Sequence, residues 1–85
     1  MDLPDRLREI DRLPLSAEGR ALARLIALLN EAGVALSADE AERVGTALTL
    51  ACHEARVPTG RVRRLVDPEA AGFVTGVARF MRLRD

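Results

Sequence analysis

Apolar residues along this chain recur mostly at intervals of three and four, which is the period of an α-helix. The first such stretch runs from Pro4 to Arg12 and places Leu3, Leu7 and Ile10 on one side. Proline suits the first turn of a helix, and Pro14 prevents the helix from continuing. The pattern predicts a short amphipathic helix.

A second helix is predicted from Ala17 to Ala32. Ser16 is a favourable N-cap, Glu18 suits the positive end of the helix dipole, and Gly33 can end the helix as its C-cap. The helical stripe comprises Leu22, Leu25, Ile26 and Leu29. The other faces are nearly as apolar, because they carry Ala21, Ala23, Ala27 and Leu28. We therefore expect this helix to be central and buried on most sides.

Capping residues also mark the next two helices. Ser37 and Glu40 form a capping box at the start of a third helix, which should stop before Pro58. Thr59 is then expected to cap a short helix from Gly60 to Val66. Both boundaries follow from side chains that satisfy free backbone N–H groups at helix ends.

A last helix is predicted to begin after Asp67, because Asp67, Pro68 and Glu69 supply a cap, a first-turn proline and an acidic residue. Its apolar stripe comprises Ala70, Phe73, Val74, Val77, Phe80 and Met81. No alternating pattern typical of a strand is present. We predict an all-α fold, a compact bundle of about five helices, three longer and two short, that forms a single domain over residues 1–85.

Composition restricts the core and the setting. Of the 85 residues, 48% are hydrophobic, but the only aromatic ones are Phe73 and Phe80, so the core must consist of Leu, Val and Ala. The residues after Met1 include no basic, apolar signal sequence, and no apolar stretch is long enough to span a bilayer. We expect a cytoplasmic protein that does not associate with membranes.

Charge is distributed unevenly, although the net charge is zero. Residues 1–54 hold six arginines against ten acidic residues, a net charge of −4, and residues 55–85 hold seven arginines against three, a net charge of +4. Such halves can neutralise each other within the monomer, pair between copies, or present a basic surface to an anionic partner.

The segment from Cys52 to Leu65 fits parts of a helix-turn-helix pattern. In this alignment Val57 is the hydrophobic residue of the turn, and Arg56 stands where the pattern usually has glycine. Arginines on the second helix would contact phosphates or guanine edges. The residues assigned to nucleic-acid binding are Arg56, Arg61, Arg63 and Arg64. The alternative is a solvated connector helix.

Gly72 and Gly76 stand four residues apart and would share one face of the predicted last helix. Each glycine costs roughly 1 kcal/mol relative to alanine in a helix, which suggests that another helix approaches closely there. The approaching helix belongs either to the same monomer or to a partner. Together with Arg79 in the last turns, these glycines form the candidate protein-interaction site.

No catalytic, metal-binding or cofactor-binding motif is present. Cys52, His53 and Glu54 are adjacent, so they point in different directions around a helix, and the chain has no second histidine and no glycine-rich phosphate loop. We expect a non-enzymatic helical module, of the size of adaptor domains, that binds another protein or itself. The alternative is a helix-turn-helix-like DNA-binding protein or transcription accessory factor that uses the short helix 60–66.

Overall fold

Four α-helices and a short 3-10 helix make up residues 1–68 and 75–82, the part of the chain that this computed structural model describes. The elements are α1 (Leu3–Arg12), α2 (Ala17–Ala32), α3 (Ala38–Ala55), α4 (Thr59–Val66) and the 3-10 helix Val77–Phe80. No strand occurs in the described residues, which confirms the all-α prediction.

Local capping explains the boundaries of α2 and α3. The Ser16 side chain accepts a hydrogen bond from the backbone N–H of Gly19 at 3.1 Å, and Gly33 ends α2 with a φ of 71°. At α3 the Ser37 hydroxyl accepts from the Glu40 N–H at 3.2 Å and donates to the Glu40 carboxylate at 2.9 Å. These predicted caps are confirmed.

The predicted cap of α4 was wrong. The helix begins at Thr59 rather than after it, and its N-cap is Pro58, which offers no side-chain acceptor. The Thr59 side chain is fully buried, and its hydroxyl donates to the carbonyl oxygen of Arg82. The hydroxyl that the sequence assigned to capping therefore forms a hydrogen bond with a distant part of the chain instead.

The prediction of about five helices was also wrong, because the described residues contain four α-helices. Residues 69–74 lie outside the described part, and residues 75–82 do not continue an α-helix. Gly76 has a φ of 75°, the left-handed conformation that interrupts a right-handed helix. Val77 and Met81 are nevertheless buried, because this segment packs against α3.

Side chains from α1 and α2 hold the carboxyl end of α4. The Arg6 guanidinium is 5% exposed and donates to the carbonyl oxygen of Leu65 at 3.1 Å and to Glu31 at 3.0 Å. The Asn30 side-chain amide donates to the carbonyl oxygen of Val66 at 2.9 Å. The last carbonyl oxygens of a helix have no hydrogen-bond partner within that helix. Side chains of α1 and α2 supply the partners here, so these contacts join three helices.

The composition of the second helix had suggested that it is buried on most sides. In the structure it is not. Its buried residues lie on one face and comprise Gly19, Ala23, Ile26 and Ala27. Leu25 and Leu28 on the opposite side are 48% and 44% exposed. The prediction failed because alanines and leucines make several faces of this helix nearly equally apolar, so periodicity alone does not show which of them is buried.

Gly45 allows residues 77–80 to lie directly on α3. A Cβ atom at this position would lie 2.7 Å from the Phe80 Cβ and 2.8 Å from the Val77 carbonyl oxygen. Both distances are shorter than van der Waals contact, and one involves the backbone. A side chain on residue 45 would therefore displace the segment that buries Val77 and Met81.

We predict that Gly45→Ala lowers the free energy of unfolding. Alanine gains about 1 kcal/mol in helix propensity, but overpacking of this kind costs typically 1–3 kcal/mol, so a net loss of up to about 2 kcal/mol is expected. Urea unfolding followed by circular dichroism measures the change. Ala47→Gly, at an exposed position of the same helix, calibrates the propensity term. An increase in stability for Gly45→Ala would contradict the observed packing.

Candidate interaction surfaces

One side of α2 presents an apolar stripe to solvent. At about 100° per residue, its members lie within about 60° of Leu25 on the helix surface. We call this stripe the Leu-rich face; it comprises the exposed Ala21, Leu25, Leu28 and Ala32 and the partly buried Leu22 and Leu29. Glu18 is the one charged residue of α2 within the same sector. Leu25 lies at the centre of the stripe.

A groove between α2 and α3 borders the Leu-rich face on one side. It has a volume of about 180 Å³, and Leu22, Ala47 and Leu50 are among its lining residues. Leu50 is 56% exposed, more than either Leu25 or Leu28. The apolar surface therefore extends beyond a single helix, onto the neighbouring part of α3.

The other side of α2 carries the polar contacts that set its orientation. Asn30 reaches α4, and Glu31 pairs with the buried Arg6 of α1. Asn30 lies about 140° from Leu25 around the helix axis, at 100° per residue. As long as these hydrogen bonds hold, the Leu-rich face must point away from α4.

A second surface is formed where α3 passes into α4. Three residues, Arg56, Val57 and Pro58, separate the helices, and Val57 is buried in the core. Arg56 has a φ of 57°, and among the described residues it is the only non-glycine residue with a positive φ. The turn therefore imposes the conformation for which the helix-turn-helix pattern uses glycine.

The arginines of this region differ in exposure. Arg56, Arg61 and Arg64 are exposed, whereas Arg63 is half-buried. Its Nε atom is buried without a hydrogen-bond partner in the described part of the structure. We refer to these four arginines as the Arg-rich segment. The structure thus brings them to one short helix and its preceding turn, as the sequence predicted, but only three of them are exposed.

The amino end of α4 is covered, which limits the similarity to a DNA-recognition helix. Thr59 and Gly60 are both buried, and Thr59 bonds to Arg82. In helix-turn-helix proteins it is the amino-terminal residues of the second helix that contact base edges. The exposed side of α4 can therefore contact phosphates more readily than bases.

Four of the six arginines of residues 1–54 form ion pairs with acidic residues of the same half. The pairs are Arg6–Glu31, Arg8–Asp5, Arg12–Glu9 and Arg24–Asp11. Within the described residues, Arg56 and Arg61 form no ion pair. Internal neutralisation therefore involves arginines of the acidic half and does not extend to these two basic side chains.

Of the two glycines predicted to mark a close helix approach, the structure describes only Gly76, and it gives that glycine a different role. Gly72 lies outside the described residues. Gly76 is glycine because of its left-handed backbone; a Cβ there would meet the Ala41 Cβ at an ordinary 3.5 Å. Arg79 is exposed beside it. Close approach instead requires Gly45, which the sequence reasoning missed although an unexplained glycine inside a helix was a usable signal.

The adjacent polar residues of α3 do not converge. Cys52 is fully buried in the core, whereas His53 and Glu54 are exposed. Another groove, of about 240 Å³, is lined by His53 together with Thr46, Thr49, Leu50, Phe80 and Arg82. Among the described residues, no three metal-ligating side chains cluster together.

We predict that Arg56→Gly is more stable than Arg56→Ala by about 1 kcal/mol. Both substitutions remove the guanidinium group, but only glycine adopts the left-handed backbone without steric cost. Urea unfolding of the two variants measures the difference. The matched control is Arg43, an exposed arginine inside α3, where Gly should be about 1 kcal/mol less stable than Ala. The same sign at both positions would contradict the turn geometry.

None of the helices in the described residues is both long and apolar enough to cross a bilayer. Comparison with protein-family models, with curated proteins and with solved structures gives no match to this chain.

Proposed function

We propose that this chain is a non-enzymatic helical protein-interaction module and that the Leu-rich face of α2 is its docking surface. The observation that carries the proposal is the exposure of Leu25 and Leu28, 48% and 44%, on one face of an ordered helix. Leucines scattered singly over a surface need no explanation, but a continuous stripe marks an interaction site.

The energetics support docking through this face. Complete burial of a leucine side chain contributes about 1.5–3 kcal/mol, so covering two half-exposed leucines contributes about 1.5–3 kcal/mol in total. Leu22, Leu29 and the neighbouring Leu50 add to this surface. A partner that covers the stripe also meets a helix whose backbone is already ordered, which lowers the entropic cost of binding.

Site-specific photocrosslinking tests this proposal. A photoreactive amino acid in place of Leu25 should give a discrete protein adduct in the native cell. The same group in place of Arg61, which is exposed on α4, should not. Leu28→Glu, introduced together with the group at position 25, should reduce the adduct at least about tenfold, because it puts a charge into the apolar contact. Equal labelling at positions 25 and 61 would contradict the proposal.

A second candidate function is binding of nucleic-acid phosphates by the Arg-rich segment. It is favoured by the left-handed turn at Arg56 and by the lack of ion pairs at Arg56 and Arg61 within the described residues. Exposed guanidinium groups that are not held by carboxylates can displace counterions from a phosphate backbone. The covered amino end of α4 favours binding without sequence preference.

Fluorescence anisotropy of a labelled mixed-sequence duplex tests this second candidate. Micromolar binding that weakens with salt is expected, and Arg56→Gly with Arg61→Ala should reduce the salt slope by about 1.8, or about 0.9 per phosphate contact. Arg8→Ala with Arg12→Ala is the control, because it removes two exposed arginines from α1. The absence of binding at low salt, or equal loss in both double variants, would exclude the Arg-rich segment.

A further inference from the structure

We propose that the partner of the Leu-rich face is a second copy of this chain, with the two α2 helices antiparallel about a two-fold axis beside Leu25. This inference rests on the proposed function, because it names the occupant of the same surface. It follows from the symmetry of the stripe, from the position of its charge and from its size.

The stripe is nearly symmetric about Leu25. Leu22 and Leu28 lie three residues to either side, and Ala21 and Leu29 lie four residues to either side. A two-fold axis reverses the direction of the helix, so positions at equal distance from Leu25 come to the same height. A two-fold contact requires such a self-complementary surface.

Side-chain sizes match in this arrangement. With about 100° per residue, Leu22 of one copy meets Leu29 of the other on the same flank, and Ala21 meets Leu28. The two Leu25 side chains meet at the axis. A small residue thus lies opposite a large one on one flank, which allows close packing of the two helices.

The position of Glu18 selects the antiparallel direction. In a parallel pair, the Glu18 side chains of the two copies would lie against each other within the stripe. In the antiparallel pair each Glu18 lies beside Ala32 of the other copy, and the two carboxylates are roughly 21 Å apart along the helix axis at 1.5 Å per residue. Antiparallel helix dipoles also attract each other.

The charged residues at one edge of the stripe are already paired. Arg24 bonds to Asp11 at 2.8 Å, and Glu31 bonds to Arg6 at 3.0 Å, both within the same copy. Pairing of two copies therefore does not require these side chains to leave their partners. The cost of desolvation at this edge is correspondingly small.

The available area predicts a weak dimer. A standard interface buries about 800 Å² on each partner, roughly one sixth of the 5027 Å² that this chain exposes. The stripe from Glu18 to Ala32 spans about 21 Å, so it reaches that area only together with flanking residues such as Ala47 and Leu50. We expect a dissociation constant on the order of tens of micromolar.

Sedimentation equilibrium of the purified chain from about 10 µM to 1 mM tests self-association. The average mass should rise from one toward two chain masses, and Leu25→Glu should weaken association at least about tenfold. Thr46→Glu, which adds the same charge at an exposed position of α3 beside Phe80 and Arg82, should behave as the unmodified chain does. Circular dichroism verifies that each variant is folded, and Leu28→Glu replaces Leu25→Glu if that variant unfolds.

Disulfide trapping tests the direction of pairing. A mixture of Ala21→Cys and Leu28→Cys chains should form a disulfide between the two variants under mild oxidation. Ala32→Cys alone should not, because its two thiols would be about 21 Å apart along the axis. The native Cys52 is buried and does not interfere. A disulfide formed by Ala32→Cys with itself would overturn the antiparallel arrangement.

The two proposals fail in different ways. A chain that stays monomeric at 1 mM, or a Leu25→Glu variant that associates as strongly as the unmodified chain, overturns pairing with a second copy. The photocrosslink at position 25 to a different protein would then still support docking through the Leu-rich face. The absence of any specific adduct at position 25, together with a chain that stays monomeric at 1 mM, would overturn both.

Discussion

The hydrogen bonds at the carboxyl end of α4 determine how α2 is rotated about its own axis. Arg6 and Asn30 donate to the last carbonyl oxygens of α4, and Arg6 also binds Glu31. A buried carbonyl without a partner costs about 1–3 kcal/mol, so the fold strongly favours keeping the polar edge of α2 toward α4. Leu25 and Leu28 face solvent as a consequence of this constraint.

Small residues determine what α3 can accept on its two sides. Towards α2, a Cβ on Gly19 would lie 3.0 Å from the Ala51 Cβ, and towards residues 77–80, Gly45 leaves no room for a side chain. These contacts bring backbones together in a core that, among the described residues, has no fully buried aromatic side chain. Residues 75–82 and α2 thus occupy both sides of α3, whereas one side of α2 stays open.

The parts of the fold that the sequence predicted correctly are those decided by neighbouring residues. Ser16, Gly33 and the pair Ser37–Glu40 act within one helical turn, and the boundaries of α2 and α3 agree with the structure. Thr59 was misjudged because its hydroxyl bonds to a carbonyl oxygen 23 residues away, and Gly76 because its backbone is left-handed rather than helical.

The candidate surfaces show the same division. The arginines at 56, 61, 63 and 64 are close in sequence, so their grouping on one helix and its turn was predictable. Which face of α2 is open was not predictable, because alanines and leucines make several of its faces nearly equally apolar in the sequence. The open face depends on hydrogen bonds made by Asn30 and by Arg6, a residue of another helix. Arg6 binds Glu31, which lies 25 residues away in the sequence.

The two proposed surfaces are compatible with each other. The Leu-rich face and the contacts of α2 with α4 lie on opposite sides of α2, so two copies paired through α2 would keep their Arg-rich segments on the outside.

Thirteen arginines balance thirteen acidic residues, and a neutral chain meets no net Coulombic repulsion when it pairs with its own copy. A strongly basic nucleic-acid-binding protein would have to overcome such repulsion. Here the Arg-rich segment lies on a surface that pairing leaves open, so self-association and phosphate binding would reinforce each other by presenting two basic segments together.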